Sequence, residues 1–505
     1  MKDSRYNNLK NAASRFNPLR FLSLINAPAR SSIFFTASNV IAKAAALVFT
    51  PFYTRLLTTE EYGTYSLFLT YLSIITVIGT LEMGGSVIMR AFQKHRNMHS
   101  TVILIGFLIS IFTTLASLFG LFVTKRALGA KQLFGGSYAL LAISAICASL
   151  INLFSARSRF LYKPAFSILL TVLQSIVTPI LSISLISFEA MKEFNHVAVK
   201  VGTATVISAV IALTVLAILI PKSIHEMRVN KKNGIEKEIT RLLLRLSVPM
   251  LPYYLSLLII SHLDKIFISE FLGRDILGMY SISYAAGIAP VCITGGILGA
   301  LCPWVMRKVR AKNTASVRTT LSTVTSLLCA VIICFLSAMP EILKILAPGE
   351  YLGAAPVAFV IALCPIPLFI TQLTSGISIA YEKPKLTVIS AICAAGVSLT
   401  LCILLIPVFG VLFAALSTLT AYLLLAALGV LNSRRITGDT PIYINKTLRS
   451  MLITALLSAA IYQFRSEIFI RIIIGALAFI CIIYMLLGSK RLLKEREEAA
   501  QESRA

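Results

Sequence analysis

The chain has 505 residues, of which 57% are hydrophobic and only 13% charged, and its mean hydropathy is +0.85. A soluble domain is about a quarter charged, so this composition excludes a soluble surface and requires one that mostly faces lipid. The formal net charge of +26 would suggest nucleic acid if it were pooled in one patch. The lysines and arginines instead punctuate apolar runs, which excludes nucleic acid as a partner and points to membrane topology.

In chain order, the first thirty residues are basic and lack an early apolar run, which argues against a cleaved signal peptide. A spanning helix needs roughly 20 apolar residues. With that ruler about fourteen candidates follow: 33–56, 65–88, 102–123, 138–153, 166–188, 201–220, 248–271, 277–304, 321–338, 357–380, 386–406, 411–431, 451–464 and 468–487. An N-terminus in the cytoplasm puts most loop lysines and arginines on that side, as positive-inside topology requires. Lys125, Arg126 and Lys131 are the main exceptions. The even helix count returns the C-terminal tail to the cytoplasm. The nine cysteines all fall in apolar runs without a CxxC pair, and the five histidines lack zinc spacing, so neither disulfides, metal nor any cofactor is expected.

The halves of the chain repeat. Leu57, Glu60, Gly63, Tyr65 and Ser66 follow the first candidate helix, and Leu272, Asp275, Gly278, Tyr280 and Ser281 follow the seventh at the same spacing. Lys163-Pro164 and Lys383-Pro384 form a second pair at nearly the same offset. The expected organisation is all-α and polytopic. A basic cytoplasmic extension covers 1–31, an N-terminal lobe of six helices 32–220, and a basic cytoplasmic connector 221–246. A C-terminal lobe of six helices covers 247–431, two further helices lie in 432–488, and a cytoplasmic tail covers 489–505. Both lobes start in the cytoplasm, so the repeat is parallel, with its axis along the membrane normal and substrate between the lobes.

A charge at the bilayer centre costs at least about 2.5–3.5 kcal/mol on insertion scales, so charges inside candidate helices mark candidate function. Lys43 lies near the middle of helix one, Arg55 at its end, Asp264 and Lys265 in helix seven beside His262, and Glu82 on helix two near Gly84-Gly85. Lys43, Arg55, Asp264 and Lys265 are candidates for holding an anionic substrate, and Glu82, Asp264 and His262 for coupling. The competing readings are that Arg55 and Lys265 snorkel to headgroups, that Asp264 only neutralises a lysine, and that Glu82 pairs with Arg90. Glu60-Glu61 is read as a helix end in water rather than a catalytic acid pair. Pro51, Pro249, Pro252, Pro290, Pro365 and Pro367 are points where helices can bend.

Several stretches resemble the polysaccharide-transporter (oligosaccharide flippase) family. Ala37-Ser38-Asn39 to Lys43, continuing through Tyr53 to Gly63, resembles its first helix and loop. Leu263 to Ile268 with Gly278 to Ser281 resembles its seventh helix, and Leu405 to Ala415 its eleventh-to-twelfth turn. Leu412-Phe413 stands where the family usually has a second glycine. The resemblance covers about 31–490 and implies the fold of multidrug and toxin extrusion exporters, two six-helix lobes in a V around a central cavity. It also implies alternating-access transport of an undecaprenyl-diphosphate-linked oligosaccharide, with no enzymatic step, across a bacterial inner membrane for surface polysaccharide such as O-antigen. A polysaccharide polymerase and a chain-length regulator are the expected partners beside the lipid-linked substrate and the bilayer. The alternatives are a small-molecule or drug exporter of the same fold, a membrane polymerase or acyltransferase, and a non-transporting scaffold. The single Trp, Trp304, and the mid-helix Lys43 favour an anionic ligand over an aromatic-lined drug cavity. Short outer loops disfavour an enzyme.

Overall fold

The computed structural model describes residues 27–84, 86–127, 138–161, 164–188, 195–229, 234–311, 313–381 and 383–502. Most of the N-terminal extension, Gly85, Lys131 and Lys163 lie outside the described residues. Every regular element among those described is a helix. The first half comprises α1 (Ala27–Leu56), α2 (Thr59–Thr80), the short α3 (Ser86–Lys94), α4 (His99–Ala127), α5 (Tyr138–Phe160), α6 (Pro164–Val172), α7 (Thr178–Ser187) and α8 (His196–Val229). A bridging helix, α9 (Ile235–Ser247), leads to the second half. That half comprises α10 (Leu251–Phe271), α11 (Arg274–Ile288), α12 (Val291–Arg310), α13 (Thr314–Ser337), α14 (Met339–Leu346), α15 (Ala355–Ile361), α16 (Pro365–Ala380), α17 (Pro384–Phe409) and α18 (Val411–Thr437). Two last helices, α19 (Ile444–Gln463) and α20 (Ile468–Glu502), pack on α13.

Among the described residues, eleven helical runs are long and apolar enough to cross a membrane. A pair bent by 43° at the Pro365 break, Gly349–Ile361 with Pro365–Ala380, makes twelve. The expected fourteen are therefore not all reached. The remaining two are α1, whose first turns are only partly described, and α19, where Lys446 and Arg449 dilute the apolar run.

Four departures from the expected helices have local causes. The apolar run 65–88 is two helices, because Leu81 and Glu82 turn left-handed (φ 46° and 49°), so Glu82 sits on a turn rather than on helix two. The fifth span carries a π-helical turn, Leu173–Val177, between α6 and α7. The eighth span is interrupted between α11 and α12 at Ala289-Pro290, where the proline cannot donate its backbone bond. The stretch 221–246 is largely helical: α8 runs on to Val229, and α9 begins at Ile235. Glu238 of α9 pairs with Lys94 of α3 at 2.8 Å.

The repeated loop motifs meet each other. We call the end where α1 turns into α2 the upper end. There α2 crosses α11 so closely that a Cβ on Gly63 would collide with the Arg274 carbonyl, and one on Gly278 with the Thr59 carbonyl. Thr59 and Arg274 are equivalent under the repeat, as are Gly63 and Gly278, so the contact is reciprocal, as two-fold symmetry demands. Ser66 and Ser281, also equivalent, share a hydrogen bond of 2.6 Å. Further ties join the halves at this end. Thr59 Oγ1 donates to Asp275 Oδ1 at 3.2 Å, Thr54 Oγ1 to the Leu346 carbonyl at 2.7 Å, and the Tyr351 hydroxyl to the Leu57 carbonyl at 2.7 Å. Glu61, read from sequence as part of a helix end in water, reciprocates with Thr58 in a capping box that starts α2.

At the eleventh-to-twelfth turn, Gly410 (φ 76°) takes a left-handed conformation between α17 and α18. One turn on, Phe413 stacks on Phe409 with ring centroids 4.5 Å apart. The departure from the family glycine thus becomes a packing contact.

Gly278→Ala overpacks the crossing, at a cost of about 1–3 kcal/mol. It should lower the disulfide yield of Ser66→Cys with Ser281→Cys by roughly tenfold. An unchanged yield would mean the crossing is not close-packed.

Candidate functional site

Below the crossing lies a cavity of about 620 Å³. Its walls come from α1, α2, α5, the π-turn with α7, and α8, and the second half contributes the α11–α12 junction. Among the described residues, the only charged side chains lining it are Lys43 and Lys200.

Lys43 lies on the wall of α1 with an exposed side chain. Lys200 enters from the first turns of α8 and is only 4% exposed. Its Nζ sits 3.4 Å from the ring centroid of Tyr53 and 3.4 Å from that of Tyr65, with Tyr62 at 5.3 Å. Tyr53 is held by a 2.5 Å hydrogen bond between its hydroxyl and Ser182 Oγ of α7. Tyr62 meets Tyr351 of the second half edge-on at 6.2 Å. No carboxylate pairs with Lys200 among the described residues. A desolvated cation–π contact is worth about 2 kcal/mol, and an unpaired buried charge costs several kcal/mol. The rings therefore offset only part of the cost of placing an ammonium here.

Neutral polar groups complete the wall. Gln174 and Ser175 belong to the π-turn, and the Gln174 amide donates to Ser208 of α8 at 3.2 Å. Single-turn π-bulges are common at functional sites, because they re-aim side chains that a regular helix would place elsewhere.

The expected site is only partly assembled. Lys43 lines the cavity; Arg55, Asp264, Lys265, His262 and Glu82 do not. The Arg55 guanidinium is exposed at the end of α1 and donates to the Pro51 carbonyl at 3.0 Å. Asp264 and Lys265 are buried in the second half, among α10, α11 and α18. Asp264 accepts from the Lys265 backbone N–H at 2.8 Å, from the Tyr280 hydroxyl and from Thr418 Oγ1 at 3.5 Å. Lys265 Nζ lies 3.7 Å from the same carboxylate, donates to the Ser261 carbonyl at 3.0 Å and faces the Tyr284 ring at 3.9 Å. Lys265 therefore does not snorkel to the surface; it is the counter-charge of Asp264. Among the described residues, His262 Nδ1 is buried with no hydrogen-bond partner. On its turn, Glu82 is half-buried, and burial pushes its carboxyl above the usual range; its charged neighbour is Arg159, which donates to the Gly84 carbonyl at 3.1 Å, rather than Arg90.

Two expectations need correction. The cavity is not poor in aromatics, because Tyr53, Tyr62, Tyr65, Phe49 and Phe68 all line it. Counting tryptophans overlooked 17 tyrosines and 28 phenylalanines. Lys200 was excluded by starting the sixth helix at residue 201. The missed signal is Asn195, whose side-chain oxygen accepts from the backbone N–H of Val197 at 2.9 Å and Ala198 at 3.3 Å. An N-cap asparagine there starts the helix at His196 and carries Lys200 inside it.

The sequence of the first half and the start of the second decides the family. A family model described as "Polysaccharide biosynthesis protein" matches residues 29–309. The chain belongs to this polysaccharide biosynthesis family. No curated protein matches its sequence significantly. Solved structures share its fold at low identity. The lipid II flippase MurJ in an inward closed conformation aligns with a TM-score of 0.58 at 15% identity, covering 90% of this chain and 99% of that one. A multidrug resistance MATE transporter of the MOP superfamily, inward-facing, aligns at 0.56 and 15%, covering 78% and 95%. A MOP superfamily transporter from Pyrococcus furiosus, whose binding pocket is described as of reverse polarity, aligns at 0.54 and 15%, covering 81% and 96%. This member of the family therefore has the MOP-superfamily transporter fold.

The buried Asp264 cluster and the cavity lysine make opposite demands on stability. Asp264→Ala strands Lys265 without its counter-charge, a loss of about 3–5 kcal/mol for a broken buried pair. It should lower the melting temperature of the purified protein, whereas Lys43→Ala should not. Equal melting temperatures for all three proteins would show that the Asp264 pair does not hold the second half together.

Proposed function

We propose that the protein is a flippase that carries an undecaprenyl-diphosphate-linked oligosaccharide from the cytoplasmic to the outer leaflet of a bacterial inner membrane, for surface polysaccharide. The observation that carries this reading is the charge of the cavity: among the described residues, Lys43 and Lys200 are its only charged lining groups, and both are basic. A diphosphate carries two or more negative charges, which cannot cross hydrocarbon without counter-charge. Lysine meets phosphate as a point charge, while Gln174, Ser175 and the tyrosine hydroxyls offer neutral partners for sugar. A cavity for cationic drugs would need the opposite sign. The family's place in polysaccharide biosynthesis and the shared MOP fold agree with this substrate class.

Transport would proceed by alternating access. The crossing of α2 and α11 closes the upper end, and the lysine and arginine bias supports an orientation in which that end faces outward and both termini lie in the cytoplasm. Separation of the halves there would release the cargo outward.

In a deletion strain, Lys43→Ala should abolish surface polysaccharide while protein abundance stays at the wild-type level, and Lys43→Arg should restore part of it. Polysaccharide is scored on the cell surface with protein measured in parallel. Normal polysaccharide from Lys43→Ala would overturn the site assignment.

A further inference from the structure

Lys43 and Lys200 stand at different depths of one cavity. Lys200 Nζ rests on the ring of Tyr53, which lies ten residues after Lys43 on α1. At 1.5 Å per residue that is about 15 Å along the helix, further than one diphosphate spans. Lys200 therefore meets α1 nearer the upper end than Lys43 does, and the two lysines offer an anion different points of entry. The two groups also differ in access. Lys43 is exposed on the wall, whereas Lys200 is 4% exposed and sealed between ring faces.

The seal is built from parts that the closed upper end holds in place. Tyr53 and Tyr62 flank the α1–α2 junction, and Tyr65 follows one turn into α2. That junction is tethered across the halves by the Tyr351 hydroxyl on the Leu57 carbonyl, and Tyr351 also backs Tyr62. When α2 and α11 part, the junction loses this tether and its tyrosines are free to swing off the ammonium. Among the described residues no carboxylate pairs with Lys200 in the closed state, so an arriving anion can serve as its partner.

We propose that Lys200 is a second anion station for the diphosphate, separate from Lys43, which the tyrosine cage hides while the upper end is closed and which takes the diphosphate over as that end opens. The proposal rests on the flippase reading and adds an order of events to it: capture at Lys43, then transfer to Lys200 beside the exit. Translocation then moves the charge between two short-range partners instead of across an uncompensated gap.

The first test needs no change at Lys200. Purified protein is treated with a water-soluble amine reagent, and labelling of individual lysines is read by mass spectrometry, with or without excess inorganic pyrophosphate. In protein locked shut by a Ser66→Cys–Ser281→Cys disulfide, Lys43 should label and Lys200 should not. After reduction Lys200 should label as well, and pyrophosphate should protect it. Equal labelling of Lys200 in the locked and reduced states, or labelling indifferent to pyrophosphate, would overturn the proposal.

The second test uses Lys200→Met, which keeps a long flexible side chain and removes the charge. It should lose surface polysaccharide and retain more co-purifying lipid-linked saccharide than wild type, because loading proceeds and release does not. Lys43→Ala should lose surface polysaccharide and retain less. Full polysaccharide from Lys200→Met would reduce Lys200 to a space-filling role. Lipid-linked saccharide absent from the wild-type protein as well would overturn the flippase reading itself, an outcome distinct from failure of the relay.

Discussion

Two backbones in contact set the terms for this molecule. Where α2 crosses α11, Gly63 and Gly278 leave no room for a Cβ, and each faces the carbonyl of the other helix's first turn. The contact pins the upper end shut, fixes the start of α2 and, through the Tyr351 tether, fixes the tyrosines around Lys200. Because equivalent residues meet, opening can separate the halves along a single seam rather than unpicking unrelated contacts. Small side chains and neutral hydroxyls, such as Ser66 with Ser281, suit such a seam. They pack tightly when closed, and parting them leaves no buried charge unpaired.

The halves handle charge in opposite ways from the same starting motif. Tyr65 and Tyr280 occupy equivalent positions. The first lends its ring face to a lone lysine beside the cavity, and the second lends its hydroxyl to Asp264 in a packed core. In the second half the charge is cancelled within the protein, by Lys265 one residue away. In the first half it is not cancelled among the described residues. An internal pair gives a rigid body, whereas an uncompensated cation beside a cavity gives a place for an anion. This difference between a half whose buried charge is paired and a half whose cavity lysine is not is invisible to any count of net charge.

Sequence reading captured what depends on long-range regularity. Apolar runs of spanning length marked most helices, the repeated Gly-x-Tyr-Ser string marked the crossing, and mid-helix Lys43 marked the cavity wall. It missed what depends on a few ångströms or a single turn. Lys200 was lost to a helix start misplaced by five residues. Glu82 was placed on a helix because Leu81 and Glu82 adopt left-handed backbone that nothing in their residue type demands. Asp264 and Lys265 were rightly singled out as buried charges, but linear sequence could not tell that Tyr280 and Thr418 close around them and keep them from the cavity. The aromatic lining was itself legible as a local cluster, since Phe49 and Tyr53 of α1 and Tyr62, Tyr65 and Phe68 of α2 all lie between residues 49 and 68, but a tryptophan count does not register it.

The sign of the cargo is the point on which the account turns. The most direct measurement reconstitutes the purified protein in vesicles and follows, in one preparation, the movement between leaflets of a fluorescent polyprenyl-diphosphate saccharide and the uptake of a cationic dye. Protein-dependent transfer of the diphosphate lipid, competed by unlabelled lipid-linked diphosphate, is expected, with no uptake of the dye. Dye uptake without transfer of the diphosphate lipid would contradict that expectation and would make the protein an exporter of cations on the same fold.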